Sequence, residues 1–447
     1  MLTLLLKWCI ISFVGLKIRA SDKWQNFSFQ KMSFVCYETE QKMHKNCKND
    51  PITSDEASDI ISSESKKLRA SLDKPKEDFS KDTRLDLIRI FAFFCVICVH
   101  ALLEGGFYYT AVKNWTIFPL ICLRGLFIAC VPLFLMLSGY LNCHKRPCKS
   151  YYFSLVRILA VYFLSCFACT LFSSWYYREE FEVLSFVFKM LDYTASGYGW
   201  YVHMFLGFFL LVPFLNGAWR DASNKKTRLC LVLTAAAITA LPSLFNTYNF
   251  TMEGWWGLPS ASNDYQQLLP KWWQMLYPFT YYFLGAYLKE YPPKKRPFKY
   301  LILSLAVVLL WGLYNFYRSR GTSFVWEDHV EYFSYQALSV AFLLFILFLS
   351  LDANRLFNPI RKFLSYLSSL TFGAYLVSWI FDTLSYPLLE QNVYYIPDRF
   401  KYYPLCIAFS AIGSLLLSAV IDLVWRALKT LCRMLKKIFW RTYEKKL

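Results

Sequence analysis

The sequence is short of charged residues. Asp, Glu, Lys and Arg make up 18% of its 447 residues, whereas 56% are hydrophobic and 20% are aromatic. Soluble domains are about 45–50% apolar and about 25% charged. The excess of apolar residues falls into runs of roughly 18–24 residues, the length that crosses a hydrocarbon core. The composition therefore predicts an all-α, polytopic membrane protein.

The sequence also lacks a disulfide framework, although it has 14 cysteines. Most of them lie within apolar runs, where cysteine behaves as a small hydrophobe; these are Cys95, Cys98, Cys122, Cys130, Cys166, Cys169, Cys230 and Cys406. Cys143 and Cys148 share the basic segment CHKRPC, which is more typical of a reduced cytosolic loop than of a metal site. We expect no bound metal.

The formal net charge of +18 does not indicate nucleic-acid binding. Lys and Arg collect instead in alternate loops such as HKRPCKS and KEYPPKKRPFK, while loops such as EGGFYYTAVKNWT are aromatic and poor in basic residues. Basic short loops lie in the cytoplasm. About ten spans then place both termini inside, in a plasma or inner membrane. The predicted spans are 85–103, 117–141, 153–174, 199–216, 228–246, 272–289, 299–317, 333–351, 364–384 and 404–424.

Two segments flank the predicted membrane domain of residues 85–424. Residues 1–84 form an extension that is polar and charged after its first twenty residues, and is therefore predicted to be flexible. Its apolar stretch at 2–15 fits an interfacial helix, a poor signal sequence or a misassigned start. Residues 425–447 mix basic and apolar residues, a pattern typical of an amphipathic helix on an anionic inner leaflet.

The first span carries the polar groups Asp86 and Arg89 near one end and His100 toward the other. Arg89 and His100 are eleven residues apart, close to three helical turns, so both side chains point the same way about 16 Å apart along the axis. Glu104 follows one turn later and is expected to orient the imidazole. Arg89 can also simply snorkel to lipid phosphate. An intramembrane histidine is costly to bury, so His100 is predicted to be functional.

Other spans bring polar groups to the same depths. We expect Arg124, His203, Tyr375, Ser378 and Asp382 in the outer half, and Ser138 and Arg157 with Arg89 nearer the cytosol. An arginine in the outer half needs an anionic partner, and Glu104 or another anion is expected to pair with Arg124. Trp200 and Tyr201 lie beside His203, where they fit either a site or an interfacial aromatic belt. These placements predict a polar cavity with a positive cytoplasmic mouth and a base toward the outside.

Six segments together resemble the integral-membrane acyltransferase 3 family, whose members move acyl groups onto surface glycans. They are RLDLIRIFAFFCVICVH, VPLFLMLSGYL, YYFSLVRILAVYF, GWYVHMFLGFFLLVPFLN, YYFLGAYL and LTFGAYLVSWIF. The resemblance covers nearly all of residues 83–425. These segments are most similar to those of the branch that O-acetylates enterobacterial common antigen.

The resemblance implies that Arg89 and His100 are the family's essential pair and that Arg157 is its basic residue opening the third span. Two positions depart from the family pattern. Ser154 stands where the family often has arginine, and Ser378 stands where the ninth-span motif often ends in histidine. The second departure concerns the acceptor more than the chemistry, because His100 is retained.

The predicted function is transfer of an acyl group, expected to be acetyl, from cytosolic acyl-CoA to a hydroxyl of a lipid-linked or cell-surface glycan. Acyl-CoA is a co-substrate, with no bound cofactor, and its phosphates need cations such as those of Arg89, Arg157 and the CHKRPCK loop. His100 suits general-base catalysis, with a covalent acyl-histidine as the alternative. The predicted binding residues are Arg89, Asp86, Arg124, Ser138, Arg157, Trp200, Tyr201, His203, Tyr375 and Ser378.

A transporter or flippase for a glycan or small molecule is the alternative of a different class. Ten spans and a buried histidine would also serve proton-coupled export. The sequence shows no internal repeat and no pair of Gly- or Pro-broken spans in matching halves. We therefore favour the enzyme, with acyl-CoA, a glycan acceptor and membrane lipids as its partners and no nucleic acid.

Overall fold

The computed structural model describes residues 82–444, and for residues 354 and 436–444 it describes the backbone alone. The predicted interfacial helix at 2–15 and nearly all of the extension at 1–84 lie outside these residues, as do 445–447. The first helix begins at Thr83, where the side chain of Asp82 accepts a hydrogen bond from the backbone N–H of Arg84 at 3.1 Å. This is a typical N-cap.

Residues 82–444 fold into fourteen α-helices joined by turns and loops, which confirms the all-α prediction. The helices are α1 Thr83–Glu104, α2 Phe118–Phe127, α3 Cys130–Asn142, α4 Lys149–Phe153, α5 Leu155–Tyr177, α6 Val183–Leu191, α7 Trp200–Asp221, α8 Lys225–Phe245, α9 Tyr277–Glu290, α10 Pro297–Ser319, α11 Tyr335–Ser350, α12 Asn358–Asn392, α13 Ile396–Arg399 and α14 Tyr403–Glu444. Within this range the extended pairing is limited to two isolated bridges, which join the segment after α1 to the segment after α10.

Nine helical segments of the described chain are long and apolar enough to cross a membrane. This agrees with a polytopic, multi-pass protein. The predicted span at 272–289 is not among the nine. It forms a 3-10 turn, Lys271–Leu276, followed by the 14-residue α9, and its many Trp and Tyr residues are less apolar than aliphatic ones. The positions of the two termini relative to the membrane stay a prediction.

Several helix boundaries differ from the predicted spans. The second span is divided into α2 and α3 by a short break at residues 128–129. The helix α12 has 35 residues, about 52 Å, and exceeds the predicted 364–384 at both ends. The tail predicted as a separate amphipathic segment continues the tenth span without interruption, so that α14 runs for 42 residues.

The helix α12 forms the most extensive packing with other helices. It packs against α14, α1 and α5. It runs in the same direction as α1, because Arg89 contacts Ser368 and His100 lies beside Asp382. A second tight pair is formed by α3 and α9. At that crossing Gly139 faces the backbone carbonyl of Tyr282, and Gly285 faces the backbone carbonyl of Met136. Neither glycine has room for a Cβ atom, so these small residues set the close approach of the two helices.

Candidate active site

His100 lies in the last third of α1 and faces other parts of the protein. The residue is only 8% exposed. Its imidazole stacks on the ring of Tyr198, with 3.5 Å between the ring centroids and 25° between the planes. Tyr198 comes from the segment between α6 and α7. A titratable ring that is turned into the helix bundle is typical of a functional site in a membrane protein.

Asp382 on α12 provides the carboxylate nearest to this imidazole. Its Oδ2 lies 3.8 Å from His100 Nδ1, and Nδ1 is buried without a hydrogen-bond partner among the described residues. The Tyr198 hydroxyl donates to the same Oδ2 at 2.9 Å, and the Ser410 hydroxyl donates to Oδ1 at 2.5 Å. Asp382 is 1% exposed. The two donors fix the carboxylate beside Nδ1, where a small movement would complete a histidine–carboxylate hydrogen bond.

The same helix also positions Tyr198. The hydroxyl of Tyr375 donates to the backbone carbonyl of Tyr198, and the hydroxyl of Ser196 donates to the carbonyl of Leu376 at 2.8 Å. Ser378 is fully buried and donates to the carbonyl of Tyr375 at 2.9 Å. Tyr375 therefore contacts the segment that carries the stacked ring, whereas Ser378 bonds within α12, one turn before Asp382.

Glu104, the residue expected to orient the imidazole, is exposed. Among the described residues it makes no ion pair or side-chain hydrogen bond. The structure instead places Asp382 next to His100, from a helix almost 300 residues away in sequence. Asp382 was predicted in the outer polar layer but was not among the candidate binding residues.

Arg89 occupies the opposite part of α1 from His100. Its Nη1 pairs with Asp86 at 3.2 Å and donates to the Ser368 hydroxyl at 3.4 Å, and its side chain is 32% exposed. Ser368 and Asp382 are both on α12. Arg89 and His100 thus contact the same neighbouring helix, one near each end of α1.

Arg124 is enclosed by the aromatic segments that follow α1 and α10. It is 2% exposed, and it donates to the Tyr108 hydroxyl at 3.2 Å and to the backbone carbonyl of Val330. The Phe324 ring lies 5.4 Å from the guanidinium carbon. No carboxylate of the described chain lies within ion-pair distance of Arg124, although the sequence led us to expect an anionic partner. Its contacts join these segments together.

The candidates on α7 have different surroundings. Trp200 is exposed and stacks on Tyr332 at 5.5 Å, whereas the Tyr201 ring meets Tyr375 edge-on at 6.0 Å. His203 is exposed and stacks on Tyr193 at 4.7 Å. Tyr201 therefore contacts a residue of the His100 site, and Trp200 meets Tyr201 edge-on at 6.0 Å. The stacking of His203 on Tyr193 does not involve a residue of that site.

The residues expected nearer the cytosol do not share one contact network. The Ser138 hydroxyl donates to the carbonyl of Phe134 in its own helix at 3.0 Å. Arg157 is mostly exposed and lies 3.6 Å from Asp422, which also pairs with Arg426 at 2.6 Å. The basic residues of the CHKRPCK loop are exposed; they are Lys145, Arg146 and Lys149.

An apolar groove of about 540 Å³ lies against another face of α1, which carries Phe94, Cys98 and Leu102. His100 is not one of its lining residues. Position 100 is about 200° around the helix from position 98. The groove and the imidazole therefore occupy different sides of α1, and the groove is not the polar cavity that the sequence predicted.

Two partners of the site were missed by reading the sequence. Tyr198 precedes α7 in a Gly-rich segment, and no local pattern indicated that its ring covers His100. Ser410 starts a row of small residues on α14 with Ser414 and Ser418, at the four-residue spacing that defines one helix face. That spacing was the available signal, because this face packs on α12, where Ser418 donates to the carbonyl of Leu370 at 2.8 Å.

The described residues contain no group of three His, Cys, Asp or Glu side chains that is arranged to hold a metal ion. The eleven cysteines from Cys95 onward are all free, with Cys143 buried and Cys148 exposed.

The polar groups around His100 are suited to moving a proton and to holding a charged imidazolium.

Comparison with models of known protein families gives a match to most of the chain. The sequence model of a family described as an acyltransferase domain, type 3, matches residues 82–422. The match begins at the N-cap of α1 and ends within α14, so it includes His100, Tyr198, Asp382 and Ser410. Comparisons with curated proteins and with solved structures give no match.

Proposed function

We infer the reaction from one premise: the chain belongs to the acyltransferase 3 family, whose domain covers residues 82–422. It is a multi-pass membrane acyltransferase, which transfers groups other than aminoacyl groups. We propose that the donor is cytosolic acyl-CoA, with acetyl as the acyl group, and that the acceptor is a hydroxyl of a lipid-linked or cell-surface glycan. The motifs favour the branch that O-acetylates enterobacterial common antigen and a plasma or inner membrane location.

His100 is the proposed general base. A sugar hydroxyl is a poor nucleophile until its proton is removed. Imidazole takes that proton as the oxygen attacks the thioester carbonyl, the new C–O bond forms and the C–S bond breaks. The proton then passes from the imidazolium to the departing CoA sulfur. The observation that carries this proposal is the buried imidazole beside the buried carboxylate of Asp382.

Asp382 is proposed as a positioning residue. A carboxylate on Nδ1 selects the tautomer that leaves Nε2 free to accept a proton, and it stabilises the imidazolium that forms. Tyr198 and Ser410 donate to the two carboxylate oxygens, so they oppose rotation of Asp382 away from the ring. Glu104 is exposed and one turn further along α1, where it is better placed to meet an incoming acceptor than to orient His100.

The donor is proposed to bind toward Arg89. The half-exposed guanidinium of Arg89 keeps donor capacity beyond its bond to Asp86. Arg157 and the exposed cations of the CHKRPCK loop supply further positive charge for the CoA phosphates. Tyr201, Tyr375 and Ser378 surround the His100 layer, and Trp200 and His203 form the adjoining aromatic surface, where a sugar ring can stack.

Purified full-length protein with radiolabelled acetyl-CoA tests the proposal. We expect slow release of CoA by hydrolysis without acceptor, and transfer of label to glycan in membranes that contain the acceptor. Replacing His100 with Ala should reduce both by about 10²-fold or more, because a general base contributes about 10²–10⁴-fold. His44→Ala is the control, since residue 44 precedes the acyltransferase domain at 82–422.

The outcomes separate the possible errors. Full activity of a correctly inserted His100→Ala variant removes His100 from the mechanism. Label that stays on protein after quenching, and is lost in His100→Ala, indicates a covalent acyl-histidine instead of direct transfer. Glycan accumulation in vesicles with no CoA release would indicate transport and contradict the proposed reaction.

A further inference from the structure

A second group of buried polar side chains lies at the end of α10, outside the His100 site. Arg318, in the last turn of α10, is 1% exposed. Its Nη1 donates to the Tyr314 hydroxyl at 2.9 Å. Its Nε and Nη2 are buried and have no hydrogen-bond partner among the described residues. Burying a charged donor without an acceptor raises the free energy of the folded state, so we expect an acceptor at these atoms.

Two neighbours of Arg318 also have buried nitrogen atoms without a hydrogen-bond partner among the described residues. Trp255 is 1% exposed, its ring lies 5.0 Å from the Arg318 guanidinium carbon, and its Nε1 donor has no partner. His329 is fully buried, meets the Tyr314 ring edge-on at 5.9 Å, and has no partner at either ring nitrogen. These three residues come from three segments of the chain, and their unsatisfied groups are mainly N–H donors.

Among the described residues, no carboxylate lies within ion-pair distance of Arg318. Asp328 is 3.3 Å from Lys271 and accepts a hydrogen bond from Gln274 at 3.1 Å. Glu327 forms no ion pair with a described cation. Burial and the charge of Asp328 raise the pKa of its carboxyl, and the charges of Lys271 and Arg318 oppose this rise. The unpartnered acceptors of this group are Oε1 of Gln274 and, when the His329 ring is neutral, one of its two nitrogens.

Aromatic rings surround the guanidinium on several sides. The ring centroids of Tyr248, Tyr265 and Tyr314 lie 5.8, 5.6 and 5.7 Å from the guanidinium carbon of Arg318. Their π faces attract the cation. The Nε–H and Nη2–H groups still have no hydrogen-bond acceptor among the described residues.

We propose that Arg318, Trp255 and His329 bind one small monovalent anion, chloride in ordinary salt. An anion accepts the free N–H groups and balances the buried charge. The unpartnered atoms have almost no solvent contact, so the enclosed position favours a halide over a phosphate or a sugar acid. Chloride then joins the segment before α9 to the end of α10 and to the 3-10 turn before α11. The proposal does not depend on the transfer reaction.

Thermal unfolding of the purified full-length protein provides the first test. Chloride replaces gluconate at constant ionic strength, and binding is also measured directly with radioactive chloride. We expect about one chloride per chain and a saturable rise in Tm of about 2–4 °C or more, because a ligand that binds the folded state stabilises it. A Tm that is insensitive to chloride, with no chloride bound, would mean that water satisfies these donors and would overturn the proposal.

Three variants locate the effect. Arg318→Met should abolish the chloride dependence, and Trp255→Phe, which keeps the ring but loses the N–H, should weaken chloride affinity by about tenfold. Arg320→Met is the control, since Arg320 is an exposed cation two residues away. If Arg318→Met does not fold, Trp255→Phe decides alone. Unchanged chloride affinity in Trp255→Phe, or equal stabilisation by phosphate and glucuronate, contradicts the proposed site.

Discussion

His100 and Asp382 stand on different helices, and the proposed chemistry depends on how well the two side chains are held together. Their 3.8 Å separation is within ion-pair range and beyond hydrogen-bond range. Tyr198 stacks on the ring and also donates to the carboxylate, so one side chain contacts both members of the pair. A small displacement of Tyr198 or Ser410 would therefore move the Asp382 carboxylate and change its distance from the imidazole.

Replacing Asp382 with Asn should lower kcat for acyl transfer by about 10²-fold or more and change the KM for acetyl-CoA little. An amide cannot stabilise the imidazolium and favours the wrong tautomer. The measurement is steady-state kinetics with varied donor, together with the pH profile of kcat. Asp398→Asn is the control, because the Asp398 side chain is exposed and, among the described residues, forms an ion pair with Lys401 alone. An equal loss in both variants would refute the positioning role.

Replacing Arg89 with Gln should raise the KM for acyl-CoA by about tenfold, the effect of losing about 1.4 kcal/mol of binding. The acceptor KM should stay near its original value, since the guanidinium lies at the other part of α1 from His100. Arg355→Gln, an exposed arginine beside Asp352, is the control. A change confined to acceptor use would show that the donor does not bind at this end.

At the scale of the elements, the contact between α3 and α9 connects two of the family-like segments. Gly139 belongs to VPLFLMLSGYL and Gly285 belongs to YYFLGAYL. Each faces a backbone carbonyl of the other helix, so the two segments are paired in space although about 145 residues separate them. Small residues permit this approach, which adds dispersion and weak hydrogen bonds where lipid offers no hydrophobic drive.

Gly139→Ala or Gly285→Ala should destabilise the protein by about 1–3 kcal/mol, because the added methyl group meets a backbone carbonyl that cannot turn aside. The measurement is the thermal stability of detergent-purified protein. Gly207→Ala on α7 is the matched control, since a Cβ atom there meets nothing within 4 Å. It should be neutral or slightly stabilising through helix propensity. A stable Gly139→Ala protein would show that the helices can separate at little cost.

The helix α12 supplies most of the side chains that contact the site. Ser368 accepts from Arg89, Tyr375 donates to the backbone of Tyr198, and Asp382 lies beside His100. Ser378 donates to the carbonyl of Tyr375 within the same helix. A 35-residue helix is longer than the membrane requires, and its packing against both α1 and α14 keeps the site between rigid elements. Changes in the α12–α14 contact are therefore expected to act on catalysis as well as on stability.

For the whole molecule, the distribution of basic loops predicts that both termini and the CHKRPCK loop are cytoplasmic. Cys148 in that loop is exposed and free. A membrane-impermeant maleimide should not label Cys148 in intact cells and should label it after permeabilisation, scored as the difference between the natural chain and Cys148→Ser. In contrast, Asn263→Cys, in the exposed aromatic loop before α9, should be labelled in intact cells. The reverse pattern would invert the orientation and the placing of the donor.

The helical membrane architecture was determined by the sequence alone. Lipid leaves no partner for free backbone groups, so long apolar runs must become helices wherever the chain places them. The same local logic brought Arg89 and His100 to one side of α1, since helix periodicity is fixed. Helix periodicity did not predict that 272–289 would contain only a short helix, or that the C-terminal tail would continue α14. The ends of a helix depend on contacts with residues outside its own apolar run.

Only the tertiary structure decided which groups meet. Sequence spacing favoured Glu104 as the partner of His100, yet Asp382 lies beside the ring because α12 packs along α1. Arg124 was expected to find an anion, and it is held by Tyr108 and a backbone carbonyl instead. Contacts between residues hundreds of positions apart depend on which helix faces adjoin, and that choice follows from the fit of small residues and aromatic rings, which periodicity does not encode.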